Sequence, residues 1–130
     1  LLITHTSATQ LMDRYKPQAI LLSGDLEKVG EERLRHIWHN KKDKIQLIVW
    51  QANHHGSRSS THPRSLDLLK PRSMLMSLGW FNRFQFPHLS VIKNIHQRKI
   101  SYWRTDINGH IMAVWKPRGL SVTPMKDILF

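Results

Sequence analysis

One run of eight residues, Ile45-Gln-Leu-Ile-Val-Trp-Gln-Ala52, restricts the possible folds of this chain more than any other stretch. Its length and β-branched content predict a strand buried on both faces. One residue beyond it, past Asn53, come His54-His55-Gly56-Ser57-Arg58-Ser59-Ser60. Open α/β sheets place ligand chemistry just past the carboxyl ends of such strands. Adjacent strand residues point to opposite faces, so His54 and His55 can serve one site only if the backbone turns there. Gly56 is the residue able to supply that turn. The alternative is that one imidazole sits satisfied in the core and the other in a loop.

The remaining elements follow a layered order. Ala19-Ile20-Leu21-Leu22-Ser23 predicts a second buried strand, with Gly24-Asp25 at its end. An Asp in that position is either a metal-bridging or catalytic carboxylate or a helix N-cap. Lys28 to Asn40 predicts a helix with Leu34, Ile37 and Trp38 inside and Glu31, Glu32, Arg33 and Arg35 outside. His36 and His39 are expected to be solvated on it. Pro63 opens a short helix through Leu66, Leu68 and Leu69 that Pro71 stops. Ser73 to Leu78 predicts a third strand, and Pro87 to Lys99 a helix with Leu89, Val91, Ile92 and Ile95 apolar.

Between those two lies Gly79-Trp80-Phe81-Asn82-Arg83-Phe84-Gln85-Phe86. This loop either stacks bases on its rings and holds phosphate with Arg83, or closes the core with Trp80, Phe84 and Phe86. Ile100–Thr105 and His110–Trp115 read as strands joined in a hairpin through Asp106-Ile107-Asn108-Gly109, on the strength of the Asn-Gly pair. Residues 1–18 form a poorly readable segment, with a short helical turn expected through Leu11, Met12 and Tyr15 before Pro17. Residues 19–116 form the organised unit. Residues 117–130, broken by Pro117, Gly119 and Pro124, read as a basic tail. The succession of strands and helices is an α/β layered pattern.

Composition narrows the function classes. The absence of cysteine excludes disulfides and thiolate metal sites. No apolar stretch is long enough to span a bilayer, and there is no signal-peptide pattern. The chain opens on Leu1-Leu2-Ile3, so it reads as an excised fragment. Of the formal net charge of +11, residues 1–50 carry +2 (eight basic against six acidic) and residues 51–130 carry +9 (twelve against three). A basic half that also holds the paired imidazoles points to a polyanion partner, nucleic acid first and an anionic membrane surface second.

Several motifs then fall in a telling order: Leu21-Leu22-Ser23-Gly24-Asp25-Leu26-Glu27; His54-His55-Gly56-Ser57-Arg58-Ser59-Ser60; Ser77-Leu78-Gly79 with Asn82-Arg83-Phe84 and Pro87-His88; Tyr102-Trp103-Arg104-Thr105-Asp106 and Asn108-Gly109. From about Ile20 to Val114 this succession resembles the C-terminal metallo-β-lactamase-like domain of the ComEC-type competence proteins, which carry transforming DNA across the inner membrane. The resemblance implies a partial αββα metallo-hydrolase fold, about half of the full domain, and a nuclease role on one strand of incoming DNA. It implies Asp25 and His55 as catalytic and metal-binding groups. One of His54 and His55 would be the last His ligand, and the other would support it or touch phosphate. Ser57, Arg58, Ser59, Ser60, Arg83 and His88 would bind phosphate or DNA. The cofactor implied is a divalent metal, zinc or manganese, in the intact parent domain. The implied partners are single-stranded DNA, the membrane channel portion of the parent protein, and the other half of the domain.

The chain departs from the family at two places. The family's His-x-His-x-Asp-His run is absent, and His5-Thr6-Ser7-Ala8-Thr9-Gln10 keeps only its first His. Phe86 stands where the family usually has His before the proline. The fragment alone is therefore expected to be inactive as a hydrolase. Two other readings are a basic DNA-binding module without catalysis and a metallo-hydrolase-like domain with another substrate.

Overall fold

The computed structural model describes residues 1–5 and 16–125. The elements are β1 (Leu2–His5), β2 (Gln18–Leu21), α1 (Lys28–His39), β3 (Gln46–Gln51), α2 (Pro63–Leu69), β4 (Ser73–Met76), α3 (Leu89–Gln97), β5 (Ser101–Arg104), α4 (Thr105–Asn108), β6 (His110–Lys116) and β7 (Gly119–Met125). The first five strands form one sheet in sequential order, and β6 and β7 form a second, two-stranded sheet. β1 runs antiparallel to β2, and the remaining pairings of the large sheet are parallel. The chain is thus mixed α/β, as its alternating runs predict. The expected turn through Leu11, Met12 and Tyr15, and the run from Thr6 to Gln10, lie outside the described residues.

Adjacent parallel strands laid down in sequence, each with a right-handed crossover, send all their helices to one face. α1 and α2 pack together, and Arg98 at the end of α3 grips Asp67 of α2 through Nε at 2.7 Å and Nη2 at 2.9 Å. The core beneath the helices is built from Trp38, Leu47, Trp50, Leu66, Met74, Met76, Val91 and Ile95. Leu47 and Trp50 share this face although they are three apart. The pairing with β2 jumps from Ala19–Leu47 to Ile20–Val49, which leaves Ile48 as an extra residue. Such a bulge resets the alternation. With Leu47, Ile48, Val49 and Trp50 all buried, β3 is the doubly covered strand its composition predicts.

Several expectations fail. Along α1 the inward stripe is Glu31, Leu34 and Trp38, whereas Ile37 is exposed. Glu31 is inside because a buried and a part-buried donor meet its carboxylate (below). Leu89 is likewise exposed at the first turn of α3, whereas Val91 and Ile95 are buried and Ile92 packs partly buried against the core. The rings of Trp80 and Phe84 are exposed and do not close the core.

The predicted hairpin through Asn108-Gly109 does not form. β5 instead joins the large sheet beside β4, and residues 105–108 wind into a helical turn. Local polar bonds favour that turn: Asn108 Oδ1 accepts from the backbone N of Arg104 at 2.9 Å, and Asp106 takes the Arg104 guanidinium at 3.0 and 2.6 Å. The hairpin lies one strand later. β6 turns at Pro117-Arg118 into β7, which occupies half of the segment read as a tail. It is tied to the large sheet by the Leu120 backbone N donating to Gln18 Oε1 at 2.9 Å.

Candidate functional site

Because β2 to β5 are parallel, the segments leaving their carboxyl ends gather along one edge of the sheet. These are the Gly24-Asp25 turn, the Asn53–Gly56 turn, the Ser77–Gly79 segment and Thr105. Hydrogen bonds lace them together. The backbone N of His54 donates to the Gly24 carbonyl at 2.9 Å, and that of His88 to the Gly56 carbonyl at 3.0 Å. Thr105 Oγ1 accepts from the Leu78 backbone N at 2.6 Å and donates to the Leu78 carbonyl at 2.8 Å.

The backbone turns where the paired imidazoles need it to. His54 (φ 44°, ψ 48°) and His55 (φ 56°, ψ 18°) are left-handed, and Gly56 follows at φ 85°. Two successive non-glycine residues in that region cost about 1 kcal/mol each or more. The turn brings both rings to one cavity of about 430 Å³, lined also by Ser77, Leu78, Asn82, Phe84 and Phe86. The ring centroids stand 6.2 Å apart. Gly56 is needed twice over, since a Cβ there would lie 2.7 Å from Cβ of Pro87.

Each imidazole meets its own carboxylate. His55 Nδ1 lies 2.7 Å from the Ser77 carbonyl, which only accepts, so Nδ1 carries the proton. The neutral ring then has its lone pair on Nε2, and Nε2 is 3.6 Å from Oδ1 of Asp25. Two atoms each about 2.1 Å from one tetrahedral ion lie about 3.4 Å apart. The pair therefore fits as two ligands of a single divalent cation. A carbonyl holding Nδ1–H is also the usual outer support of a metal-binding His. His54 Nδ1 pairs with Glu27 Oε1 at 3.0 Å, and its ring meets that of Phe86 edge to face at 5.7 Å. Among the described residues, no group of three or more His, Cys, Asp or Glu side chains could hold a metal ion. Asp25 and His55 form a pair, not a complete set.

Beneath the turn runs a buried polar chain. Trp50 Nε1 donates to Ser23 Oγ at 3.0 Å, and the Ser23 hydroxyl lies against both the Gln51 carbonyl at 3.0 Å and Asn53 Oδ1. Asn53 Nδ2 donates to Glu31 Oε2 at 2.9 Å, while Glu31 Oε1 accepts from the His62 backbone N at 2.6 Å. Glu31, 1% exposed, thereby ties residue 53 to residue 62 and closes the loop between them.

The other expected site residues are dispersed around this centre. Ser60 is buried and donates to the Asn53 or Ser57 carbonyl at 2.6 and 2.9 Å. Ser57 is also buried, with its hydroxyl 3.0 Å from that of Ser59. Arg58 and Ser59 are exposed, and Ser59 reaches Glu27 at 3.5 Å. Arg83 lies over the Phe84 ring at 4.9 Å. The His88 ring packs against Phe86 at 5.3 Å. Sequence reasoning missed Glu27, Glu31, Asn53 and Ser23. Ser23 and Glu27 carried a signal, since each stands two residues from the candidate Asp25 in the same motif, and Asn53 adjoins His54.

Comparison with known proteins adds an independent finding. No protein-family model matches the chain, and no solved structure matches it. Over 109 residues it is 36% identical to ComE operon protein 3 of Bacillus subtilis, an alignment covering 82% of this chain and 14% of that protein. It is 32% identical over 93 residues to Recombination protein 2 of Haemophilus influenzae, covering 72% of this chain and 11% of the relative. It is 30% identical over 91 residues to Competence protein ComA of Neisseria gonorrhoeae, covering 70% and 13%. The chain thus matches only 11–14% of the length of these relatives.

Proposed function

We propose that the chain is a segment of a competence-type DNA-uptake protein, and that it supplies one corner of a divalent-metal centre hydrolysing phosphodiesters of incoming DNA. The observation that carries this reading is the His55–Asp25 pair: an imidazole with Nδ1–H bound to a carbonyl and Nε2 facing a carboxylate oxygen at 3.6 Å. Similarity to a protein named for competence, and the charge of +9 on residues 51–130, support the DNA half of the reading. The parallel sheet with its candidate ligands at the carboxyl edge is compatible with half of a metallo-β-lactamase-like αββα domain, and that fold is part of the proposal.

On this reading Asp25 and His55 hold the ion. His54, braced by Glu27, borders the cavity where a phosphate would lie. Arg58 and Ser59 stand exposed on the following loop as donors to phosphate oxygens. Zinc or manganese, when bound, would supply Lewis-acid stabilisation and a water activated near neutral pH. The ligands still wanting would come from the rest of the parent protein, which we place at the inner membrane. Among the described residues no helix is long and apolar enough to cross a membrane.

Calorimetric titration of Zn²⁺ and Mn²⁺ into the chain, and into Asp25→Ala and His55→Ala variants, tests this. Weak binding lost in both variants, with cleavage of single-stranded DNA appearing only when the upstream segment is joined, is expected. Metal binding that neither substitution changes would sink it. The lack of a third ligand among the described residues favours one other reading, a basic DNA-binding module without catalysis. That reading predicts DNA binding with a steep salt dependence and no metal-dependent cleavage even in the joined protein.

A further inference from the structure

The loop between β4 and α3 presents its rings to water. Trp80 is 79% exposed, Phe81 94% and Phe84 57%. The part of the loop that carries Phe84 is held by its own bonds. Asn82 grips Phe86 at both backbone groups, its Nδ2 donating to the Phe86 carbonyl at 2.9 Å and its Oδ1 accepting from the Phe86 N at 2.6 Å. A further backbone bond from Gln85 N to the Asn82 carbonyl, at 3.1 Å, closes the turn. A loop free to collapse would bury such rings, because exposing three of them together works against the hydrophobic effect. Here the bracing fixes the turn that carries Phe84, and Trp80 and Phe81 stand exposed just before it.

The rings are arranged as surfaces for planar partners. Phe84 and Phe86 are stacked, with centroids 5.6 Å apart and planes 21° from parallel. Trp80 and Phe81 stand side by side at 6.3 Å. The Arg83 guanidinium covers the Phe84 ring, so cation and aromatic surface are presented together. Phe84 and Phe86 also line the cavity that holds His54 and His55. This end of the aromatic surface and the imidazoles therefore border one space, with Trp80 and Phe81 on the same loop beyond it, in the half of the sequence carrying +9.

We infer that the loop from Trp80 to Phe86 is a stacking platform for the unpaired bases of single-stranded nucleic acid, with Arg83 at the backbone. This rests on the reading of the adjoining cavity as a phosphodiester site. The exposed Trp80 and Phe81 rings, with Phe84 already flanked by Arg83 and Phe86 behind them, suit bases already out of a duplex, because paired bases have their faces covered by neighbours. Recognition by stacking tolerates any base, which suits a site that must take nucleic acid of arbitrary sequence.

The test is binding of the full chain, by fluorescence anisotropy, to an oligothymidylate, to an abasic phosphodiester of the same length, and to a blunt duplex. Trp80→Ala, Phe81→Ala and Phe84→Ala serve as variants, all at exposed positions. The oligothymidylate should bind tighter than either control. Each substitution should weaken it by about five- to a hundredfold, leaving affinity for the abasic chain unchanged. Equal affinity for the abasic and the base-bearing strand would overturn the inference. So would variants that lose binding to anionic phosphatidylglycerol vesicles yet keep full affinity for oligothymidylate, which would make the loop a membrane anchor. An Asp25→Ala/His55→Ala double variant separates this inference from the metal proposal: it should lose metal binding and retain the base-dependent affinity.

Discussion

Asn53 Nδ2 donates to Oε2 of Glu31 at 2.9 Å, and both side chains are almost wholly buried. This bond, with the one from His62 N to Glu31 Oε1, anchors the two ends of the loop that carries the paired imidazoles. Replacing the carboxylate by an apolar group of similar size strands the buried Asn53 amide and the part-buried His62 N–H. Glu31→Leu should therefore cost about 2–4 kcal/mol of folding stability, read from urea unfolding. A loss under about 1 kcal/mol would mean that water serves these donors as well as Glu31 does.

Gly56 and Gly24 both have positive φ, but only Gly56 is closely approached. A Cβ at Gly56 would lie 2.7 Å from Pro87 Cβ and 3.2 Å from its Cα, whereas one at Gly24 meets nothing within 4 Å. Gly24→Ala should cost only the conformational penalty, about 1 kcal/mol. Gly56→Ala adds overpacking against a rigid ring, and should cost about 2–4 kcal/mol in all. Thermal melts of the two variants check the difference, and similar melting points would refute the packing argument.

The strained backbone at His55 separates a functional role from a structural one. Substitution by glycine relieves a left-handed penalty of about 1 kcal/mol and removes one hydrogen bond of similar worth. The His55→Gly chain should then fold with a stability within about 1 kcal/mol of the parent while losing metal binding. If stability instead collapses with full secondary structure lost, the ring is there to hold the fold.

The Arg98 guanidinium hydrogen-bonds Asp67 and holds its carboxyl below the usual carboxylate range, outweighing the smaller opposing effect of burial. A carboxyl with a lowered folded-state pKa stabilises the fold above its unfolded value, near pH 4. That contribution fades as the pH falls through the lowered value. Asp67 is largely exposed, so solvent screening limits the pair to under about 1 kcal/mol. Asp67→Asn should be slightly less stable than the parent at neutral pH, and the difference should shrink as the pH falls below about 4. A deficit that persists in acid would place the effect in packing.

The positions of the candidate ligands were legible along the chain because parallel strands end on a common edge. Gly24-Asp25 and His54-His55 each follow a buried apolar run, and that alone brings them near each other. The inward placement of Glu31 was hidden, since a Glu flanked by Glu32, Arg33 and Arg35 reads as a solvated face. Arg35 one turn on lies 3.8 Å from its carboxylate, but the hydrogen bonds that make its burial tolerable come from Asn53 and His62, far along the chain. The Asn108-Gly109 pair misled for a related reason. Its local preference for a tight hairpin lost to the pairing of β5 with β4 and to the bonds from Asn108 and Asp106 onto Arg104.

Alternating apolar runs, punctuated by Pro17, Pro63 and Pro71, determined by themselves that this chain is α/β, with β3 in its middle and its polar candidates at strand ends. Tertiary structure alone decided that His54 and His55 share a cavity, that each ring takes its own carboxylate, and that the rings of Trp80, Phe81 and Phe84 face water. The physical reason is the range of the interactions. Hydrophobic periodicity is written in neighbouring residues, whereas the left-handed turn at His54-His55 is held by partners 22 to 30 residues away in sequence: Ser77, Glu27, Glu31 and Gly24.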